Sequence, residues 1–215
     1  MVLNVDSRIK VGEDIIAFSP IVKNLGILMD NHMKWDAQVS AACKKVYGSM
    51  QSLVALRHFT PQAIRLQLAR SLIVPLFDYG NVLYANVSHQ NFEKAKLASN
   101  SVTRYIHNIR RFDHISSYQK SLVGCTFKNY LDFRLCTQTY KILFDGLPYF
   151  SRFFTFSQLP RSRNLLLIRC ATDIGKKAFR HRSVCLWNRL PDVCKRAISY
   201  STFKRSCKLY FAQLD

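Results

Sequence analysis

The sequence predicts a mainly α (α+β) chain. Short N-terminal β-strands from the edge of a sheet lead into a helical bundle and then a basic helical C-terminal region. Three observations carry this prediction. Apolar and polar residues alternate over the first 30 positions, which is the period of a strand. At Trp35 the apolar spacing changes to that of a helix. Further stripes with helical spacing, separated by Gly, Asn and Pro, continue to the C-terminus.

The elements follow in order. "VLNVDSRIKVG" alternates and ends in Gly12, "IIAFSP" is short and β-prone, and "NLGILMD" follows Lys23. Strands this short do not make an independent domain, so they read as the edge of a larger sheet. From Trp35, residues Val39, Ala42, Val46, Met50 and Leu53 form one apolar stripe, with Lys44 and Lys45 away from it. Thr60 and Pro61 predict an N-cap and first helical position, for a helix that carries Arg65 and Arg70 and ends before Pro75. Asp78, Tyr79 and Gly80 fall in a connecting segment, with Gly80 free to adopt positive φ. The next helix is predicted from Ser88 to about Asn108. Its inward stripe is Phe92, Ala95, Ser99, Val102 and Ile106, and Lys94, Lys96 and Arg104 lie on or beside its opposite face.

The "RRFDHIS" stretch predicts a polar junction, followed by helical pattern over 117–125 and 129–144, the latter closed by Asp145-Gly146 before Pro148. Residues 155–164 read as a loop and "LLLIRCA" as strand-like. Two helices end the chain. In the first, Phe179, Leu186 and Leu190 share a face, Lys177, His181 and Asn188 point away, and Pro191 stops it. In the second, Phe203, Cys207, Tyr210, Phe211 and Leu214 form the stripe, with Arg205 and Lys208 opposite. The predicted regions are therefore 1–34, 35–154 and 155–215.

Charge is the unusual property. There are 32 Lys and Arg against 13 Asp and Glu, a formal net charge of +19 in 215 residues. Such a charge repels itself unless an anionic partner neutralises it, and nucleic acid is the usual one. The excess is uneven. Residues 1–60 carry 7 basic and 5 acidic side chains, residues 61–160 carry 12 and 5, and residues 161–215 carry 13 and 3. The candidate nucleic-acid contacts are Lys44, Lys45, Arg65, Arg70, Arg110, Arg111, Lys176, Lys177, Arg180, Arg182, Lys204, Arg205 and Lys208, several of them beside aromatics. Phe179 and Phe203 lie on core stripes and are expected to pack.

Seven cysteines without a C-x-x-C argue against a secreted disulfide framework and for a reduced, intracellular setting. The longest apolar run, Ser71–Phe77, is far short of the roughly 20 residues of a membrane span. The sequence has no G-x-S-x-G, G-x-G-x-x-G, Walker loop or H-E-x-x-H. Glu13-Asp14 reads as a hairpin turn, and Asp36 favours a helix N-terminus. The gaps between His181, Cys185, Cys194 and Cys207 match no common zinc spacing. Neither a catalytic residue nor a metal site is predicted in this chain.

Three stretches, in this order, resemble the region downstream of the catalytic site in reverse transcriptases of non-LTR retrotransposons of the jockey-like group. "VKNLGILMDNHMKWDAQV" is similar to that family's K-x-L-G strand followed by a tryptophan turn into a helix. "LARSLIVPLFDYGNVLY" is similar to its L-x-x-P-x-x-D-Y-G segment, with Pro75, Asp78, Tyr79 and Gly80. "PRSRN" through "KLYF" resembles its terminal R-x-R-N, S-F-x-x-R, L-W-N-x-L-P and S-x-x-x-F-K series, with Trp187, Asn188, Leu190, Pro191 and Phe203. Ala178 stands where the family usually has Ser.

The resemblance implies that Lys23, Leu25 and Gly26 face the primer end beside the palm, with Gly26 letting backbones approach closely. It implies that the helices from Trp35 form a thumb holding template–primer, with a C-terminal basic segment that helps bind RNA. Trp35, Trp187 and the residues around them are expected to be structural. The family's catalytic aspartates lie upstream of K-x-L-G, so this chain is expected not to polymerise alone, and Mg2+ would belong to the full-length enzyme. The resemblance also makes a nuclear location an expectation. Two alternatives stay open: a stand-alone, non-catalytic nucleic-acid-binding module, and an inert fragment whose exposed sheet edge pairs with other chains.

Overall fold

A computed structural model describes residues 9–84, 87–144, 148–158 and 163–214. Residues 1–8 of the first expected strand, the Asp145-Gly146 stop and residues 159–162 of the expected loop lie outside them. The described chain is mainly α, with its strands at the N-terminus.

The strands are two antiparallel hairpins. β1 (Ile9–Val11) pairs with β2 (Asp14–Ile16), and β3 (Ile21–Asn24) pairs with β4 (Ile27–Asp30). Asp14 begins β2, while Gly12 and Glu13 make the turn. The two hairpins are separate sheets, and β1 to β3 are exposed throughout. Leu25 and Gly26 form the two-residue turn of the second hairpin, at φ +48° and +82°. Positive φ at both central residues gives the turn whose twist matches a right-handed hairpin. The K-x-L-G stretch is thus a strand end and a turn, not a strand throughout.

Helix α1 (Asp36–Ala55) buries Val39, Ala42, Val46, Met50 and Leu53, as its spacing predicts. α2 (Gln62–Leu68) starts one residue later than expected. Pro61 occupies its cap, and Thr60 turns its hydroxyl back to the Leu56 carbonyl at 3.0 Å instead of capping. The helix does not end before Pro75. It passes through a π turn at Ala69–Ile73 into α3 (Val74–Asp78), where Pro75 sits in the first turn. The Val74 amide bonds Ala69, five residues back, and this wider turn accommodates a proline that lacks a donor. Ala69, Ile73 and Phe77 consequently share one buried line across the break.

α4 (Asn81–Tyr84) leads to α5 (His89–His107), capped by the Ser88 side chain on the Asn91 amide and closed by Asn108 at φ +56°. α1 and α5 run parallel. At their starts, Asn91 in α5 donates to Asp36. At their ends, Arg65 bridges the carbonyls of Arg57 and Ile106. At 1.5 Å per residue, both are about 30 Å long.

The helical pattern expected over 117–125 is mostly turn, with one 3-10 turn at Ser116–Tyr118. α6 (Phe127–Phe144) then joins the two cores. Its Phe127 and Leu131 pack with α1, α3 and α5, while Tyr130, Phe133, Cys136, Tyr140 and Ile142 pack with the C-terminal helices. α7 (Pro148–Ser151), α8 (Asp173–Lys177), α9 (Phe179–Arg189), α10 (Asp192–Lys195) and α11 (Tyr200–Gln213) complete the chain. The strand expected at 165–171 is irregular chain with a single bridge, Phe156 to Leu165. Only Leu165 of that run is buried. The final stripe buries Phe203, Cys207 and Phe211 and leaves Leu214 exposed. Among the described residues, no helix is long and apolar enough to cross a membrane.

Candidate nucleic-acid interface

The residues singled out by motif do two different jobs. One group assembles the scaffold. Tyr79 donates its hydroxyl to the Leu25 carbonyl, holding the strained hairpin tip against the end of α3. A Cβ on Gly26 would lie 3.1 Å from the Tyr79 hydroxyl oxygen, so the close approach at Gly26 is to a side-chain ring. Gly80, at φ +70°, turns the chain beneath Ile27. Asp78 accepts from Tyr130 and pairs with the Arg134 guanidinium at 3.2 Å, fastening α3 to α6. Burial first, then the Asp78 carboxylate, pushes the Tyr130 hydroxyl well above the ordinary tyrosine range. Lys23 stays exposed on β3.

The entry to α1 is built by Asp30. Its carboxylate accepts from the amides of His32 and Lys34, both at 3.0 Å, and of Trp35 at 2.7 Å. Burial alone would raise this carboxyl, but the backbone donors together outweigh it and hold it below the usual range. They also fix Trp35 at φ +65°, with its ring in the first core.

The C-terminal motifs interlock. Trp187 is fully buried and donates its indole N–H to the Arg163 carbonyl at 2.8 Å. Phe203 stacks on it at 5.6 Å, and Tyr140 stacks on Phe203 at 4.4 Å. Asn188 does not point away. Its amide accepts from the Leu165 amide at 2.8 Å and donates to the Leu165 carbonyl at 2.9 Å, an edge-like pairing that a helix side chain supplies. Leu190 is buried and leaves helical geometry before Pro191, where α10 begins. Lys195, 4% exposed, donates to the Asn164 side chain and the Asn188 carbonyl, and burial lowers its ammonium pKa.

The second group is cationic. Lys44, Lys45, Arg110, Arg111, Lys176, Lys177, Arg180, Lys204, Arg205 and Lys208 are all exposed. Lys176 pairs with Asp173 at 3.4 Å, but both groups are open to solvent, where such a pair contributes little. Arg65 and Arg70 are spent internally. Arg65 donates to Ile106 and Arg57 carbonyls, and Arg70 to those of Leu122 and Ser121 at 2.9 and 3.1 Å. Arg182 pairs at 3.2 Å with Asp132, whose carboxyl burial raises and whose neighbours Arg182, Lys128 and Arg189 pull down.

Two pockets flank the start of α5, and neither is legible from local pattern. One, about 660 Å3, is lined by His32, Lys34, Asp36, Ser88, Gln90 and Lys177 among others. The other, about 390 Å3, lies between α5, α6 and α9 and holds His89, Glu93, Lys128, Asp132 and Arg182. The first brings Lys34, which no motif marked, to the predicted Lys177, and the second brings Lys128 to the predicted Arg182. Only tertiary packing makes these residues neighbours. The first is mainly basic, and charges of both signs line the second.

Among the described residues, no group of three or more His, Cys, Asp and Glu is arranged to hold a metal ion. Cys194 and Cys207 are buried in the second core, while His181 and Cys185 face each other at 3.7 Å along α9. Comparison of the chain with protein-family models, with curated proteins and with solved structures finds no match.

Proposed function

We propose that this chain is the part of a non-LTR retrotransposon RNA-directed DNA polymerase that holds template–primer or RNA, acting without catalytic aspartates of its own. The observation that carries this reading is the disposition of charge. Eleven of the thirteen candidate cations are exposed, ten of them besides Arg70, whose guanidinium is engaged by carbonyls, and among the described residues Lys44, Lys45, Lys177, Lys204, Arg205 and Lys208 have no salt-bridge partner. A surface of this kind binds phosphate backbone through counterion release and does not read sequence. The motif residues support it from beneath. Tyr79, Asp78, Trp187 and Asn188 fix the hairpin, α6 and α9, and so the surfaces that carry the cations.

The polymerase origin is tested by reading the transcript upstream of the Met1 codon. An open frame that continues into a hairpin with paired aspartates supports it. A stop codon directly upstream removes the polymerase and leaves a stand-alone nucleic-acid-binding module, which the same cations equally favour.

A further inference from the structure

The two most exposed phenylalanines in the described chain, Phe112 at 90% and Phe59 at 84%, leave the same end of the molecule. Phe59 lies in the turn that follows α1, and Phe112 in the turn that follows α5. Because these helices run parallel, the two turns lie at the same end. Arg65 ties the exit of α1 to the last turn of α5 by donating to the Arg57 carbonyl at 3.2 Å and the Ile106 carbonyl at 3.0 Å. Arg104 shapes the second turn by donating to the carbonyls of Arg110 and Asp113, which frames Phe112.

A single exposed ring is ordinary, but two rings this open at one end of the molecule form a surface that can take a ligand. The surrounding charge says which. Arg57 stands two residues before Phe59 in the chain, and Arg110 and Arg111 immediately precede Phe112, with the Arg111 guanidinium 5.6 Å from the Phe112 centroid. Asp113 is the acidic residue in the two turns. A ring flanked by phosphate-binding cations is the pattern that holds unpaired bases, because every base offers a π face and every nucleotide a phosphate. An apolar protein partner would not need the arginines.

We infer that Phe59 and Phe112 form a stacking platform for unpaired bases of single-stranded nucleic acid, at the far end of α1 and α5 from the two pockets. This rests on the nucleic-acid reading above and assigns its single-strand contact. Duplex phosphates would meet the helix-borne cations, while a single-stranded overhang would meet the rings.

The test compares the full chain with Phe59→Ala, Phe112→Ala and the double variant, by anisotropy of a labelled oligouridylate and, separately, of a labelled RNA–DNA hybrid duplex. The expected result is a loss of about fivefold or more in oligouridylate affinity for each ring, and about 25-fold or more for the double variant. Hybrid affinity and salt slope stay at wild-type values, and Phe112→Trp restores single-strand binding. Both rings are exposed, so an unchanged melting temperature checks that the variants fold. Wild-type hybrid binding with unaltered oligouridylate binding in the double variant overturns the platform and leaves the nucleic-acid reading intact. Loss of concentration-dependent self-association instead would assign the face to a second copy of the chain and overturn it too. Failure of the wild type to bind either probe overturns both.

Discussion

Tyr79 reaches back 54 residues to donate a hydrogen bond to the carbonyl of Leu25, at the tip of the β3–β4 hairpin. Both residues belong to sequence motifs, and the bond explains why the motifs accompany one another. The hairpin is exposed on most of its length and depends on a few such contacts for its position.

Removing only the hydroxyl should therefore loosen the hairpin. Tyr79→Phe is expected to lower stability by about 0.5–1.5 kcal/mol, the usual net value of one hydrogen bond. Amide hydrogen exchange would localise the change, with faster exchange at β3–β4 and unaltered rates in α5. A uniform change across the chain would contradict this assignment.

Trp187→Ala removes a fully buried ring together with its bond to Arg163 and its stacking on Phe203. The expected cost is about 3–5 kcal/mol, read from the midpoint of chemical denaturation. Normal stability with lost nucleic-acid binding would move Trp187 from scaffold to interface.

Arginines of similar sequence context separate cleanly by what they touch. The Arg70→Ala variant should lose stability, because its guanidinium satisfies the carbonyls of Leu122 and Ser121, and should leave the salt dependence of binding unchanged. The triple variant Lys204→Ala, Arg205→Ala, Lys208→Ala should do the reverse. It should flatten the log–log salt slope by up to about three, close to one for each phosphate that is no longer neutralised. Swapped outcomes would place the footprint elsewhere.

Asp132 supplies a pH test. Burial raises its carboxyl pKa in the folded chain, and Arg182 opposes that shift. Arg182→Ala removes the opposition, so the folded pKa rises further above the unfolded one. A carboxyl shifted in this direction binds protons more tightly when folded. The stability lost by the variant is therefore largest at neutral pH and shrinks as pH falls toward the ordinary aspartate range. Denaturation midpoints of wild type and variant across that range should converge on the acid side. Parallel curves would show that the pair does not govern Asp132.

Much of this architecture is legible locally. Ser88 and Asn108 bracket α5 because an N-cap hydroxyl and a residue tolerant of left-handed geometry are signals contained in a few residues. The stripe from Trp35 to Leu53 likewise predicts its own burial. Other features depend on distant partners. Pro75 reads as a stop, yet a π turn carries the helix past it so that Ala69, Ile73 and Phe77 stay on one buried line. Asn188 reads as solvent-facing, yet it substitutes for a strand beside Leu165, which is why that run needs no sheet. Arg65 and Arg70 look like free cations until the carbonyls of other segments arrive beside them. The pocket holding Lys128 and Arg182 exists only once α5, α6 and α9 have packed, and the one holding Lys34 and Lys177 only once the end of α8 meets the entries to α1 and α5.

The central claim is that exposed cations on this scaffold hold nucleic acid, and an anisotropy titration of the purified chain with an RNA–DNA hybrid over a salt series tests it most directly. The expected result is tight binding at low salt, with affinity falling linearly on log–log axes at a slope of about −4 or steeper, as several counterions are released. A folded chain that fails to bind the hybrid, or binds it without salt dependence, would contradict the claim.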